Sequence, residues 1–99
     1  MTASEVKLII GSYEKLQGIA AKRVAAAVPE IHDKYVYVTS MSVCDKDIFG
    51  KEDVIISYKY LNGNGEWDGG TLCLPLKVFV KSEKYIATYI HRLKREAML

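Results

Sequence analysis

Cysteine, proline and long apolar runs are all scarce in this chain, and each scarcity excludes something. Two cysteines, Cys44 and Cys73, are too few for a disulfide-scaffolded secreted module, although one bridge remains arithmetically open. Two prolines and seven glycines exclude collagen-like or low-complexity architecture. No stretch approaches the roughly 20 apolar residues of a membrane-crossing helix. The first residues, Met1 to Lys7, lack the basic region of a signal peptide, and the apolar stretch Leu8–Ile10 is too short for its hydrophobic core. These absences predict a reducing cytoplasm and free thiols buried in strands.

Recognisable chemistry is missing as well. No Gly-x-Ser-x-Gly elbow occurs, and Gly63, Gly65, Gly69 and Gly70 follow a strand without opening a helix, which argues against a phosphate cradle. His32, Cys44, Cys73 and His91 contain no close pair of the kind zinc sites use. Asn62, Asn64, Glu66 and Asp68 alternate oxygen donors as a calcium loop does, but Trp67 stands where that loop needs glycine for its sharp turn. The expectation is a protein with no enzymatic activity, no metal and no cofactor.

What is present is ordinary protein matter. Ninety-nine residues, 49% hydrophobic and 26% charged, specify one small folded domain over residues 1–99. Such a chain buries about 60–70% of its unfolded surface, enough for one core. Val6, Ile9, Tyr13, Leu16, Ala20, Val24 and Ala27 recur at steps of three and four, predicting one helix from Ser4 to Val28 with a Thr2/Glu5 capping box. Gly11 and Gly18 lie seven apart within it, either as a close-packing face or as two weak spots.

From Lys34 to Cys44 the period becomes two, and Val54 to Leu61 repeats the pattern. The Asn62–Gly70 segment carries two Asn-Gly steps, the strongest turn signal in the chain. A third strand, about Thr71 to Leu76, completes an antiparallel meander, with Pro75 confining it to an edge or to its own end. Lys77–Lys81 fits either a strand continuation or a short turn. Ser82 then caps a last helix with Ile86, Tyr89 or Ile90, Leu93 and Ala97 on its apolar stripe. The predicted fold is therefore α+β, in the order α-β-β-β-α.

Two helices most economically cover one face of such a sheet. Ser40 and Ser42 mark the even-numbered face of the first strand as outer, with Tyr37, Met41 and Val43 inward. Ser57 and Lys59 mark the odd-numbered face of the second as outer, with Val54, Ile56 and Tyr58 inward. That assignment leaves Val36, Val38, Ile55 and Leu61 on the uncovered side, an apolar patch of the kind that marks a partner surface. The pairs Tyr35/Tyr37 and Tyr58/Tyr60 fit core packing better than base stacking. Trp67, inside a glycine-rich turn, is either a lid on the core or a contact residue.

Charge is segregated along the chain. Residues 1–29 carry four basic and two acidic groups, residues 30–68 four and eight, and residues 69–99 six and two. The net +2 therefore hides an acidic middle, with Asp45, Asp47, Glu52 and Asp53 in one loop and Glu66 and Asp68 in another. Lys84, His91, Arg92, Lys94 and Arg95 give the last helix a basic face, which the helix dipole also favours.

The element order resembles a double-stranded-RNA-binding domain in outline only. Lys81-Ser82-Glu83-Lys84 places Glu83 where that family wants a cation, and Asp45–Asp53 is acidic where it wants groove contacts, so the family is set aside. The leading expectation is a small binding module acting by protein–protein contact, with a homodimer as one form. Its predicted partner-binding residues are Val36, Val38, Ile55, Trp67, Asp45, Asp47, Glu52 and Asp53. Compact domains of this kind serve as regulators or inhibitors, including those carried by phages and mobile elements. The alternative is nucleic-acid binding through Lys84, His91, Arg92, Lys94 and Arg95. A weaker third is a small-molecule site on the tyrosine-lined sheet.

Overall fold

A computed structural model of the chain describes residues 1–28, 31, 35–44 and 50–98. Thr2 caps the first helix, α1 (Ala3–Ile10), by accepting from the Glu5 amide. The apolar stripe continues beyond it, but the helix does not. Gly11 closes α1, and Ser12 adopts an extended conformation (φ −129°, ψ 117°) and caps the next turn through Lys15 N–H. The expected single helix is thus two. The second runs through α2 (Tyr13–Lys15), a π-helical stretch (Leu16–Ala20) and α3 (Ala21–Ala27) without interruption. A β-carbon at Gly18 would meet nothing within 4 Å, and one at Gly11 only the carbonyls of its own helix. The two glycines are weak spots and not a packing face.

Three strands follow, β1 (Val36–Val43), β2 (Asp53–Leu61) and β3 (Trp67–Pro75), in an antiparallel sheet of order β1-β2-β3. β3 begins earlier than expected, at Trp67, because the turn is short. Asn62 organises it: its side-chain oxygen accepts from Asn64 and Glu66 N–H at 2.8 and 3.0 Å, and Gly65 takes φ +78°. One extra residue beside a left-handed glycine is the geometry of a three-residue hairpin loop. β3 lies at the sheet edge and ends at Pro75, where no ladder donor is needed.

The pairing of β1 with β2 slips between Val38 and Ser40, so Thr39 bulges. Side chains alternate across a strand, so one extra residue reverses which parity faces the core. Val36 and Val38 point inward before the bulge, Met41 and Val43 after it. The assignment of Val38 to an outer surface is therefore corrected: it is 2% exposed and belongs to the core. Tyr37, expected inward, is exposed instead. On β2 the expected inner set, Val54, Ile56 and Tyr58, is buried.

The Lys77–Lys81 connector is a single helical turn, α4 (Leu76–Phe79), followed by α5 (Glu83–Ala97), which Ser82 caps through Tyr85 N–H. Val6, Ile9, Ala20, Val24, Phe79 and Ile86 from the helices meet Val38, Met41, Val54, Ile56 and Leu74 from the inner sheet face. Arg23 crosses this layer, its Nε donating to Phe79 C=O and its Nη2 to Lys81 C=O, both at 2.8 Å. Its guanidinium also stacks on the Phe79 ring, 5.3 Å from the centroid. Burial lowers its pKa, against the opposing pull of Glu83 at 4.0 Å. Only the first half of α5 packs: Ile86 is buried, Tyr89 and Ile90 are half-buried, and residues 91–98 are exposed.

Candidate partner-binding face

The buried sheet residues all share one face, and the opposite face carries no described helix. Strand register lays it out in rows. Ser42, Ile55 and Cys73 form one, Ser40, Ser57 and Thr71 the next, then Tyr37, Lys59 and Gly69, and finally Leu61 and Trp67 with Tyr35 beside them. The face is therefore small and polar in the middle and aromatic at one end.

The aromatic end is built by three elements. Tyr35 and Trp67 meet with ring centroids 6.1 Å apart and planes at 53°. Tyr13, at the start of the second helix, reaches around the β1 edge to Tyr37 at 6.2 Å and 56°. Gln17 fixes that helix against the edge: its side-chain nitrogen donates to Val38 C=O at 2.8 Å, and its oxygen accepts from Val38 N–H at 2.9 Å. The closeness of Tyr37 raises the pKa of Tyr13 above its ordinary value, first by favouring its protonated hydroxyl as a hydrogen-bonding group and then by charge repulsion. Tyr13, Tyr35 and Trp67 are 65%, 62% and 54% exposed, so tilted ring pairs stand open to solvent. The core-packing expectation holds for Tyr58/Tyr60, which stack at 6.2 Å on the inner side, and fails for Tyr35/Tyr37. Trp67 is no lid on the core.

The other predicted residues scatter. Ile55 is half-buried on the same face as Trp67 but lies six β3 residues away by register, about 20 Å. Val36 is half-buried and lines an open cleft of about 530 Å³ with Gln17, Ala25 and Glu83. Glu52 and Asp53 are half-buried and line a second, of about 500 Å³, beside Lys51, Lys77 and Tyr89. Asp45 and Asp47 lie outside the described residues, as does His32. Among the described residues, no three His, Cys, Asp or Glu side chains converge as a metal site would require.

Both thiols are exposed, contrary to the buried expectation, because Cys73 falls on the outer face and Cys44 just beyond β1. Partial burial, with Asp53 and Cys44 nearby, raises the Cys73 pKa. Lys84, His91, Arg92, Lys94 and Arg95 are all exposed along α5. Sequence reasoning missed Tyr13 as a surface residue, since its spacing placed it on the apolar stripe. The Gly11-Ser12 pair was the available signal: a stop residue followed by a cap.

Fold and face define a class, an α+β protein whose antiparallel sheet carries its helices on one side and open aromatic rings on the other. No family model, curated protein or solved structure matches the chain. No described helix is long and apolar enough to cross a membrane.

Proposed function

We propose that this is a non-enzymatic binding module that engages another protein through the aromatic end of its uncovered sheet face, acting as a regulator or inhibitor. The carrying observation is the open cluster of Tyr13, Tyr35, Tyr37 and Trp67 on a face that no described element covers. Tyrosine and tryptophan are the residues most enriched at the energetic centres of protein interfaces, where large rigid rings bury much area for little lost freedom. Lys59, paired with Tyr37 on the same face, and Glu66, next to Trp67 in the chain, put charge of both signs at the margin of the rings, as the rim of such an interface does. Two free thiols on the surface favour a reducing, cytoplasmic setting.

Affinity capture from the source cell, with the wild-type chain beside a Tyr35→Ala/Trp67→Ala variant of equal melting temperature, tests this reading. One protein retained by the wild type and lost from the variant is the expected result. Equal retention by both, or none by either, would sink it.

Nucleic-acid binding by α5 is the second reading, and the exposure of His91, Arg92, Lys94 and Arg95 on one helix favours it. It requires affinity that falls with salt and weakens on Arg92→Ala and Arg95→Ala substitution. A flat titration with single- and double-stranded DNA and RNA at low salt removes it.

A further inference from the structure

The two edges of the sheet are treated differently. On β1, the Thr39 bulge and the paired hydrogen bonds of Gln17 to Val38 close the edge to further pairing. Among the described residues, β3 has neither device. Its nine residues pair with β2 without a shift, contain no lysine, and place their proline last. Trp67 to Thr71 and Cys73 are exposed. Asn62 N–H donates to Glu66 C=O at one end of the ladder, and Leu76 N–H to Glu52 C=O at the other. Antiparallel alternation between those bonds turns the even-numbered β3 residues toward β2 and the amides of Trp67, Gly69, Thr71 and Cys73 outward.

We propose that β3 pairs with β3 of a second copy of this chain, antiparallel about a two-fold axis at Thr71, joining two three-stranded sheets into one. The inference is independent of the face reading above, because it uses the strand edge. Self-complementarity identifies the occupant. Thr71 is the midpoint of the strand, so full overlap opposes Thr71 to itself, Gly69 to Cys73 and Trp67 to Pro75. The last residue then needs only to accept, which is all a proline can do. About eight main-chain hydrogen bonds form, all between groups now facing water. Asp68, the one charge in the strand, falls opposite Leu74, and no like charges meet. The acidic end at Glu66 and Asp68 arrives at the Pro75 end of the other copy, two residues in sequence from Lys77, so the polarity of the chain favours this antiparallel arrangement.

Light scattering and sedimentation from low-micromolar to near-millimolar concentration should give a mass rising from 11.1 kDa to twice that value. Thr71→Lys opposes two ammonium groups at the axis and should raise the dissociation constant at least tenfold, with an unchanged melting temperature at monomeric concentrations. In a Cys44→Ser/Cys73→Ser background, Thr71→Cys should give a covalent dimer on mild oxidation, since directly opposed residues stand about 5.5 Å apart between α-carbons. Ser57→Cys, on the central strand, should not. A monomer at every concentration overturns the proposal. So does a dimer indifferent to Thr71→Lys, equal cross-linking from Ser57→Cys, or a monomer that instead takes an extended peptide of another protein along β3.

Discussion

At the scale of single residues, the guanidinium of Arg23 exchanges water for the carbonyls of Phe79 and Lys81 at the end of α4. Glu83 is a minor partner, 4.0 Å away and 46% exposed, so solvent weakens its attraction. Arg23→Met keeps the stem and the volume but leaves two carbonyls without a donor. It should cost about 2–3 kcal/mol in urea denaturation, the worth of hydrogen bonds from a charged donor. Glu83→Gln should cost far less. Cys73 offers a second test. Its raised pKa means less thiolate at neutral pH than a free cysteine would hold, although the side chain is exposed. Iodoacetamide should therefore modify Cys73 more slowly than a cysteine in an unstructured peptide at pH 7. The rate should climb with pH through a midpoint above the ordinary thiol value. Whatever stability Cys73 lends is complete below the unfolded thiol range and lost as pH rises through that midpoint.

At the scale of elements, the order α-β-β-β-α was legible because periodicity is a local property: the step of the apolar residues changes from about 3.6 to two and back. The break at Gly11-Ser12 was not, since Ile9 and Tyr13 are four apart and keep the stripe apparently continuous across it. The bulge was also invisible. Val36 to Cys44 alternates without a fault, and β-branched or apolar residues occupy both parities, so nothing local shows where the inner face changes. Only the pairing with β2 decides it, and pairing is a tertiary fact. Deleting Thr39 tests this directly. The deletion restores simple alternation and turns one of the pairs Val36/Val38 or Met41/Val43 outward. The loss should be about 3 kcal/mol or more, read as a fall in the urea midpoint. A variant as stable as the wild type would mean that the bulge does not set the register.

At the scale of the whole molecule, the described helices lie on one side of the sheet and no described element lies on the other. Charge polarity, plain in the sequence, follows the elements: Lys84, His91, Arg92, Lys94 and Arg95 lie on α5, while Glu66 and Asp68 stand at the hairpin end of the sheet. The candidate face was half legible. The existence of an uncovered side followed from counting helices against faces, and Trp67 followed from its place in a turn. Its exposed rings, Tyr13, Tyr35 and Tyr37, depend on the helix break and the bulge, which is why Val38 was assigned to that face in their place. Trp67 is the sole tryptophan of the chain, so its fluorescence reports on this face alone. The most direct measurement is its emission as the captured protein is titrated in, at concentrations where the chain itself is monomeric. The free chain should emit as a solvated indole and shift to the blue, saturably, as the complex forms. Binding that leaves the emission unchanged would contradict the assignment of the aromatic end as the contact surface.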